Sequence, residues 1–172
     1  MFLDRDGVLI ANRPDFVRSW EEVEILPGAV EACRLLAGSL YVVVVVTNQS
    51  AVGRGWASME EIDALNRRVV ADFEAKGARF DGVFLCPHHP EAGCPCRKPR
   101  PGMLLAAAAD LGLDLAASYL VGDLPTDIQA ADVAGVKGIL LRVGGSPPEP
   151  AAERMAANLL EAVQRILKGD WA

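Results

Sequence analysis

Five consecutive valines, at positions 42–46, constrain the fold of this chain more than any other feature. A strand that is apolar at every position has no face to offer to water, so other elements must cover it on both sides. A parallel sheet with helices on both faces provides such positions. The run is far shorter than the ~20 apolar residues of a membrane-spanning helix, so we expect no association with a membrane.

Strand-forming and helix-forming segments alternate along the rest of the chain. The segment that follows the Ser58–Glu61 capping box, for example, has apolar residues at helical spacing. This alternation predicts a doubly wound, Rossmann-like parallel α/β sheet in a single domain spanning residues 1–172. The predicted strands are 2–4, 41–47, 82–86, 119–121 and 138–143. The predicted helices begin near residues 28, 59, 101, 126 and 151, and the last one extends over about 151–168, after a turn-rich linker at 144–150.

The charge balance limits the kinds of partner. The chain has 17 Lys and Arg residues against 23 Asp and Glu residues, which gives a net charge of −6. An acidic domain lacks the broad basic surface of a non-specific nucleic-acid binder, so we expect no nucleic-acid partner. No basic and apolar leader follows Met1, so we also expect no signal peptide and a cytoplasmic location.

Polar residues stand at the ends of the predicted strands, where the ligand crevice of such a sheet lies. Carboxylates offer oxygen ligands for a hard cation, and hydroxyl and ammonium groups offer donors for an anion. Together they are typical of metal-assisted phosphoryl transfer. The candidate residues are Asp4, Asp6, Thr47, Lys98, Asp123 and Asp127.

A proline-rich loop at 86–98 concentrates metal-ligating side chains. It contains Cys86, His88, His89, Cys94 and Cys96. Three thiolates and one imidazole complete a tetrahedral Cys3His zinc site with no position open for water, so the predicted zinc is structural. We expect His88 to be the fourth ligand because its Cys-x-His spacing mirrors Cys94-x-Cys96, and His89 is the alternative. This zinc loop would direct its last two residues, Arg97 and Lys98, at the crevice.

The strand-end residues resemble the four motifs of the haloacid-dehalogenase-like (HAD) hydrolases, namely Asp4-x-Asp6-Gly7-Val8, Thr47, Lys98 and Gly122-Asp123-x-x-x-Asp127. The resemblance implies that Asp4 is a nucleophile forming an aspartyl-phosphate, and that Asp6 is the general acid and base. Thr47 and Lys98 would serve the phosphoryl group. Mg²⁺ would be held by Asp4, the backbone carbonyl of Asp6 and Asp123, with Asp127 as a further or outer ligand.

Three longer segments narrow the resemblance. Cys-Pro-His-His-Pro, Cys-x-Cys-Arg-Lys-Pro-x-Pro-Gly-Met-Leu and Thr-Asn-Gln-Ser-x-x-x-Arg-Gly are similar to the D-glycero-D-manno-heptose-1,7-bisphosphate 7-phosphatases. Those enzymes are cytoplasmic monomers of carbohydrate metabolism that act in nucleotide-activated heptose and lipopolysaccharide biosynthesis, with Mg²⁺ and a zinc loop. The resemblance implies a phosphosugar substrate and the substrate contacts Asn12, Arg13, Pro14, Asp15, Thr47, Asn48, Gln49, Ser50, Arg97 and Lys98. Arg97 and Arg54 are the cations available for a second phosphate.

Two departures and two alternatives accompany this interpretation. Leu124 stands where the family often has Lys. The zinc loop of the family is often longer than the one here, in which only seven residues separate Cys86 from Cys94. The short loop equally resembles the histidinol-phosphate phosphatases, which share the mechanism. A phospho-acceptor receiver domain is the alternative from another class, although Asp6 favours turnover over a stable aspartyl-phosphate. Because only 42 residues separate Asp4 from Thr47, no separate cap domain is expected.

Overall fold

The computed structural model describes residues 1–142 and 153–171, which build a six-stranded parallel sheet in the order β3-β2-β1-β4-β5-β6. The central strand β1 is short, and it pairs Leu3 with Val45 on one side and with Val121 on the other. The strands are β1 (Phe2–Leu3), β2 (Val44–Asn48), β3 (Gly82–Cys86), β4 (Tyr119–Gly122), β5 (Lys137–Leu141) and β6 (Met155–Ala156).

Helices cover both faces of this sheet. They are α1 (Ala29–Ala37), α2 (Ser50–Gly53), α3 (Met59–Ala75), α4 (Gly102–Leu111), α5 (Pro125–Ala134) and α6 (Leu159–Lys168), together with short 3-10 turns at Trp20–Glu22 and Pro90–Ala92. Residues of α1, α3 and α6 pack in one core, and residues of α4 and α5 pack in a second core. The predicted doubly wound α/β class is therefore confirmed.

The valine run lies where its composition requires. Val43 and Val45 face the core with α1, α3 and α6, whereas Val44 and Val46 face the core with α4 and α5. All four are buried. Regular strand structure begins only at Val44, and it continues through Asn48.

Helix α3 begins at the predicted capping box. The Ser58 hydroxyl accepts a hydrogen bond from the Glu61 backbone N–H at 3.2 Å, and the Glu61 carboxylate accepts one from the Ser58 N–H at 2.7 Å. Such a cap contributes about 1 kcal/mol to helix stability. It fixes the start of the helix whose far end buries Val69 and Phe73 against the sheet.

The predicted C-terminal helix over about 151–168 is wrong in its first part. Met155 and Ala156 form β6, which pairs with Leu140 and Leu141 on the open edge of β5. Helix α6 begins only at Leu159, because the Asn158 side chain caps it by accepting the N–H of Glu161. The edge of β5 offers unpaired backbone groups that compete with helix formation. Residues 151–152 and the predicted linker at 144–150 lie outside the described residues.

Among the described residues, none of the helices combines the length and the apolar character needed to cross a membrane.

Candidate active site

The carboxyl ends of β1, β2 and β4 meet beside one cleft of about 250 Å³. This is where a doubly wound sheet opens a crevice for ligands. The cleft is lined by Asp4, Asp6, Asn12, Phe16, Thr47, Asn48, Ser50, Arg97, Lys98, Leu124, Thr126 and Asp127. All of the predicted strand-end groups are in this set except Asp123, which lies against it beside Gly7.

A buried lysine joins two of the carboxylates. The Lys98 Nζ atom lies 2.8 Å from Asp4 Oδ2 and 2.6 Å from Asp127 Oδ1, and it donates a hydrogen bond to the Val46 carbonyl at 3.0 Å. Burial by itself would lower the pKa of Lys98, but Asp4 and Asp127 outweigh it and raise that pKa above its usual range. Lys98 is therefore a permanent cation at the floor of the cleft.

Three of the four carboxylates of the site lie close together and repel one another. One oxygen each of Asp4, Asp123 and Asp127 can be chosen so that all lie within 4.8 Å of one another. Burial raises the pKa of Asp4 to about 8; Lys98 opposes this rise, and Asp127 and Asp6 add to it. Burial and the Asp127 charge raise the pKa of Asp123 to about 6. The site thus holds more negative charge than its one lysine neutralises.

This carboxylate cluster fits a hard divalent cation. Asp123 Oδ1 is buried and has no hydrogen-bond donor among the described residues, so it is left free to bind a cation. Oxygen ligands at this density are what Mg²⁺ prefers. Gly7, at φ 82°, permits the approach, since a Cβ atom there would overlap the Asp123 carboxylate.

Asp6 is held by two neighbours. The Arg5 guanidinium, only 1% exposed, donates from Nε and Nη2 to the Asp6 carboxylate at 3.2 and 3.0 Å. Gln49 Nε2 donates at 2.8 Å both to Asp6 Oδ2 and to Thr47 Oγ1. Gln49 is fully buried and lies outside the cleft lining, in contact with the side chains of Asp6 and Thr47.

Arg5 is in turn fixed from a distant helix. Its Nη1 donates to the Asn66 side-chain oxygen of α3 at 2.7 Å, and its Nη2 donates to the Val17 carbonyl at 3.3 Å. Neither Arg5 nor Asn66 was among the candidate residues predicted from the sequence. The charge of Arg5 between two aspartates was a usable signal, but Asn66 had none, because 60 positions separate it from Arg5.

Asn48 grips the backbone of Lys98 in both directions. Its Nδ2 donates to the Lys98 carbonyl at 3.2 Å, and its Oδ1 accepts the Lys98 N–H at 3.1 Å. The side chain lines the cleft, but both ends of its amide already have protein partners. This pair of bonds ties the end of β2 to the loop that carries the lysine.

The zinc loop brings its four predicted ligands together. The Cys86 sulfur lies 3.5 Å from Cys94 Sγ and 3.2 Å from Cys96 Sγ, and His88 Nδ1 lies 3.2 Å from Cys96 Sγ. A tetrahedral zinc with bonds of about 2.3 Å to sulfur separates its sulfur ligands by about 3.8 Å, close to this spacing. His89 Nδ1 instead accepts the N–H of Glu91, so the structure favours His88 over His89.

Close packing fixes the zinc loop against the fold. The Gly53 N–H of α2 donates to the Pro87 carbonyl at 2.7 Å, and a Cβ atom on Gly53 would overlap the backbone of His88 and His89. Gly102, at the start of α4, meets the backbone of Pro95 and Cys96 in the same way. The loop therefore approaches two helices at distances that only glycine allows.

The other predicted substrate contacts divide into two groups. Three of them, Asn12, Ser50 and Arg97, line the cleft. Three more, Arg13, Pro14 and Asp15, are exposed and lie outside the lining. Arg54 also lies outside it, with its guanidinium carbon 5.2 Å from the centre of the Trp56 ring. Cleft residues that the sequence analysis did not nominate are Phe16, Leu124 and Thr126.

Comparisons with known proteins agree with this geometry. Residues 95–164 match a family described as HAD-hydrolase-like. The D-glycero-beta-D-manno-heptose-1,7-bisphosphate 7-phosphatase of Vibrio cholerae is 37% identical over 173 residues, covering 96% of this chain and 92% of the relative. The Escherichia coli K12 enzyme of that name is also 37% identical, covering 95% and 88%. The crystal structure of D,D-heptose 1,7-bisphosphate phosphatase from B. bronchiseptica, complexed with magnesium and phosphate, matches with a TM-score of 0.89 at 34% identity, covering 98% of both chains.

The chain belongs to the D-glycero-beta-D-manno-heptose-1,7-bisphosphate 7-phosphatase family.

Membership in this heptose-bisphosphatase family makes the chain a HAD-like phosphoric monoester hydrolase. The family predicted from the strand-end motifs and the zinc loop is confirmed. The alignments span nearly the whole chain, so the assignment rests on the sheet and the cleft as well as on the zinc loop.

Proposed function

We propose that the chain hydrolyses the C7 phosphate of D-glycero-D-manno-heptose 1,7-bisphosphate, a step in the synthesis of nucleotide-activated heptose. The observation that carries the proposal is the arrangement of Asp4, Lys98 and Asp127 at the strand ends. It supplies a buried carboxylate nucleophile with its own neutralising cation. The names of the relatives support this phosphosugar as the substrate.

Asp4 performs the first step. One of its carboxylate oxygens attacks the phosphorus atom at C7, the bond from phosphorus to the C7 oxygen breaks, and an aspartyl-phosphate forms. Lys98 and the Thr47 hydroxyl stabilise the negative charge on the transferring phosphoryl oxygens. Lys98 can do so without reorganisation, because two carboxylates and a carbonyl already fix its Nζ atom.

Asp6 moves the proton in both steps. It gives a proton to the leaving C7 oxygen, then accepts a proton from the water that attacks the phosphorus of the aspartyl-phosphate. That attack releases inorganic phosphate and regenerates the Asp4 carboxylate. Arg5 and Gln49 hold the Asp6 carboxylate at the edge of the cleft between these events.

The carboxylates would hold Mg²⁺ through Asp4, the backbone carbonyl of Asp6 and Asp123. When bound, the metal neutralises charge on the phosphoryl oxygens and so lowers the barrier to attack by an anion. Asp127 would act as an outer ligand, because its Oδ1 already faces Lys98. The buried Asp123 Oδ1, which has no hydrogen-bond donor in the described part of the chain, supports this assignment.

Arg97 would bind the second phosphate of the substrate. It lines the cleft beside Lys98, and its buried Nη1 has no hydrogen-bond acceptor among the described residues. A guanidinium with a free donor recognises a phosphate through paired hydrogen bonds. The second cation that the sequence suggested, Arg54, lies over Trp56 outside the lining, so it serves only if the substrate extends beyond the cleft.

The Cys/His cluster would hold a structural zinc ion that fixes the loop carrying Arg97 and Lys98. His88→Ala should lose the bound zinc, whereas His89→Ala should retain it, because only His88 lies among the sulfurs. Metal content of the two purified variants, measured by mass spectrometry, tests this directly. Equal zinc in both variants would contradict the ligand assignment.

We also propose that the enzyme acts as a cytoplasmic monomer. The nucleophile, the proton donor and the lysine of the proposed mechanism all come from one chain, so these catalytic steps require no residue from a second copy. Zinc binding requires thiolates, which persist in a reducing compartment.

Phosphate release in the presence of Mg²⁺ tests the proposal. The substrates are both anomers of the heptose 1,7-bisphosphate and histidinol phosphate, with Asp4→Asn as the inactive control. Release from the heptose far above that from histidinol phosphate is expected, and phosphorus NMR should show that the C1 phosphate remains. Preference for histidinol phosphate would overturn the substrate, and a stable phosphoryl-enzyme without release would overturn the hydrolase mechanism.

A further inference from the structure

Phe16 has a backbone conformation that bulky residues avoid. Its φ angle is 64°, and it is the one non-glycine residue with positive φ in the part of the chain that the structure describes. The left-handed region is unfavourable for a side chain with a Cβ atom, and it persists where the surrounding structure imposes it, often at functional sites. Here the Phe16 N–H bonds to the Arg13 carbonyl, and the next residue, Val17, is buried.

Packing of the protein core does not account for this conformation. Phe16 is only partly buried, and it belongs to neither of the two cores nor to the residues packed against them. Its ring instead lines the cleft, together with the half-exposed side chain of Leu124. The strained backbone thus places an apolar side chain in the lining of the cleft rather than in either core.

Two residues from another loop support that ring. The Phe16 and Trp56 rings pack at a centroid distance of 5.7 Å and an angle of 60°, and Arg54 lies over the Trp56 ring at 5.2 Å. Trp56 is 51% exposed, so packing in the core does not explain its position either. The three side chains form a stack that we call the Phe16 wall, with the ring of Phe16 at the cleft and the guanidinium of Arg54 outermost.

We propose that Phe16 determines substrate specificity by packing its ring against the carbon-bearing face of the sugar. This inference rests on the proposed function. The face of an aromatic ring is electronegative, and sugar C–H bonds next to oxygen carry partial positive charge, so the two surfaces attract as well as exclude water. The wall selects phosphate esters that carry a sugar ring over small phosphates that have none.

The wall contributes binding without taking part in the chemistry, and the test uses that difference. Phe16→Ala should raise KM for the heptose bisphosphate about tenfold, the size expected for a lost aromatic contact, and leave kcat within about twofold. Its kcat/KM for acetyl phosphate, which has no sugar, should stay unchanged. Phe16→Tyr should restore KM, and Trp56→Ala should raise KM by a smaller factor. Leu40→Ala, at a fully exposed leucine, is the control for loss of an apolar side chain.

A second variant separates the ring from the strain. Phe16→Gly should raise KM as much as Phe16→Ala does. Its melting temperature should be higher than that of Phe16→Ala, because glycine accepts positive φ without strain. An unchanged KM in both variants, or an equal loss of kcat with both substrates, would overturn the role of the wall. Failure of the wild type to hydrolyse the heptose bisphosphate, with acetyl phosphate still cleaved, would overturn the proposed substrate and the wall with it.

Discussion

Replacing Asp4, the proposed nucleophile, by Asn should stabilise the magnesium-free protein at neutral pH. Folding buries Asp4 beside Asp127 and raises its pKa from 3.8 to about 8. A carboxyl group with a raised pKa contributes its full stability below pH 3.8 and loses it as the pH rises through 8. Between these pH values folding of the wild-type protein takes up a proton on Asp4, at a free-energy cost that grows with pH, and Asp4→Asn has no such cost.

The magnitude follows from the pKa values. A solution at pH 7 lies about three pH units above the pKa of Asp4 in the unfolded chain, and each unit lowers the free energy of unfolding by about 1.4 kcal/mol. The variant should therefore be more stable than wild type by on the order of 4 kcal/mol. For a chain of this size that corresponds to a rise in Tm of roughly 10 °C. Lys98 keeps Asp127 as its partner in the variant, so the gain is not cancelled by an unpaired buried cation.

Thermal unfolding measures this effect between pH 5 and 8. The buffer contains neither magnesium nor a chelator, because a chelator would also remove metal bound by the Cys/His cluster. The gap in Tm between Asp4→Asn and wild type should open as pH rises, and added Mg²⁺ should narrow it by stabilising the wild type. Asp110→Asn, at an exposed aspartate, should show no such gap. A variant that is less stable than wild type at pH 7, or a gap independent of pH, would refute the argument from buried charge.

Three further predictions concern packing, positioning and metal binding. Gly53→Ala should lower the free energy of unfolding by about 1–3 kcal/mol, because the added methyl group overlaps the zinc loop. Gly38→Ala should not lower it, because the space around Gly38 accommodates a methyl group. Denaturant unfolding of the two variants tests this difference. Asn66→Leu removes the acceptor of Arg5 Nη1 and leaves Asp6 and Val17 as the partners of that guanidinium. Asp6, the proposed general acid, is then held less firmly, so steady-state kinetics should show kcat reduced about tenfold with KM little changed. The Mg²⁺ concentration for half-maximal activity should rise as the pH falls from 8 to 6, because protons compete for Asp4 and Asp123; a constant value would exclude them as ligands.

Features that repeat a simple physical pattern were predictable from the sequence. The valine run had to be buried on both faces, and polar residues after apolar strands had to meet at one edge of a parallel sheet. Asp4 and Thr47 are in the cleft for that reason. The Cys-x-His and Cys-x-Cys spacings likewise place the four ligands of the zinc loop within reach of one ion.

Features that depend on contacts between distant segments were not predictable. Asn66 lies on the buried side of α3 among apolar residues, where the sequence pattern predicts only core packing. Its hydrogen bond to Arg5 becomes visible only in the tertiary fold. Met155 and Ala156 fit an amphipathic helix, and the free edge of β5 draws them into the sheet instead. Phe16 gave no signal, because positive φ in a phenylalanine is imposed by its surroundings and not by its own preference.

The valine run at 42–46 also bears on how the molecule unfolds. Val43 and Val45 belong to one apolar layer, and Val44 and Val46 belong to the other. One continuous segment of the chain therefore contributes side chains to both layers. Neither layer can melt while leaving that segment intact for its neighbour. We therefore expect the two halves of the fold to unfold in one transition rather than in sequence.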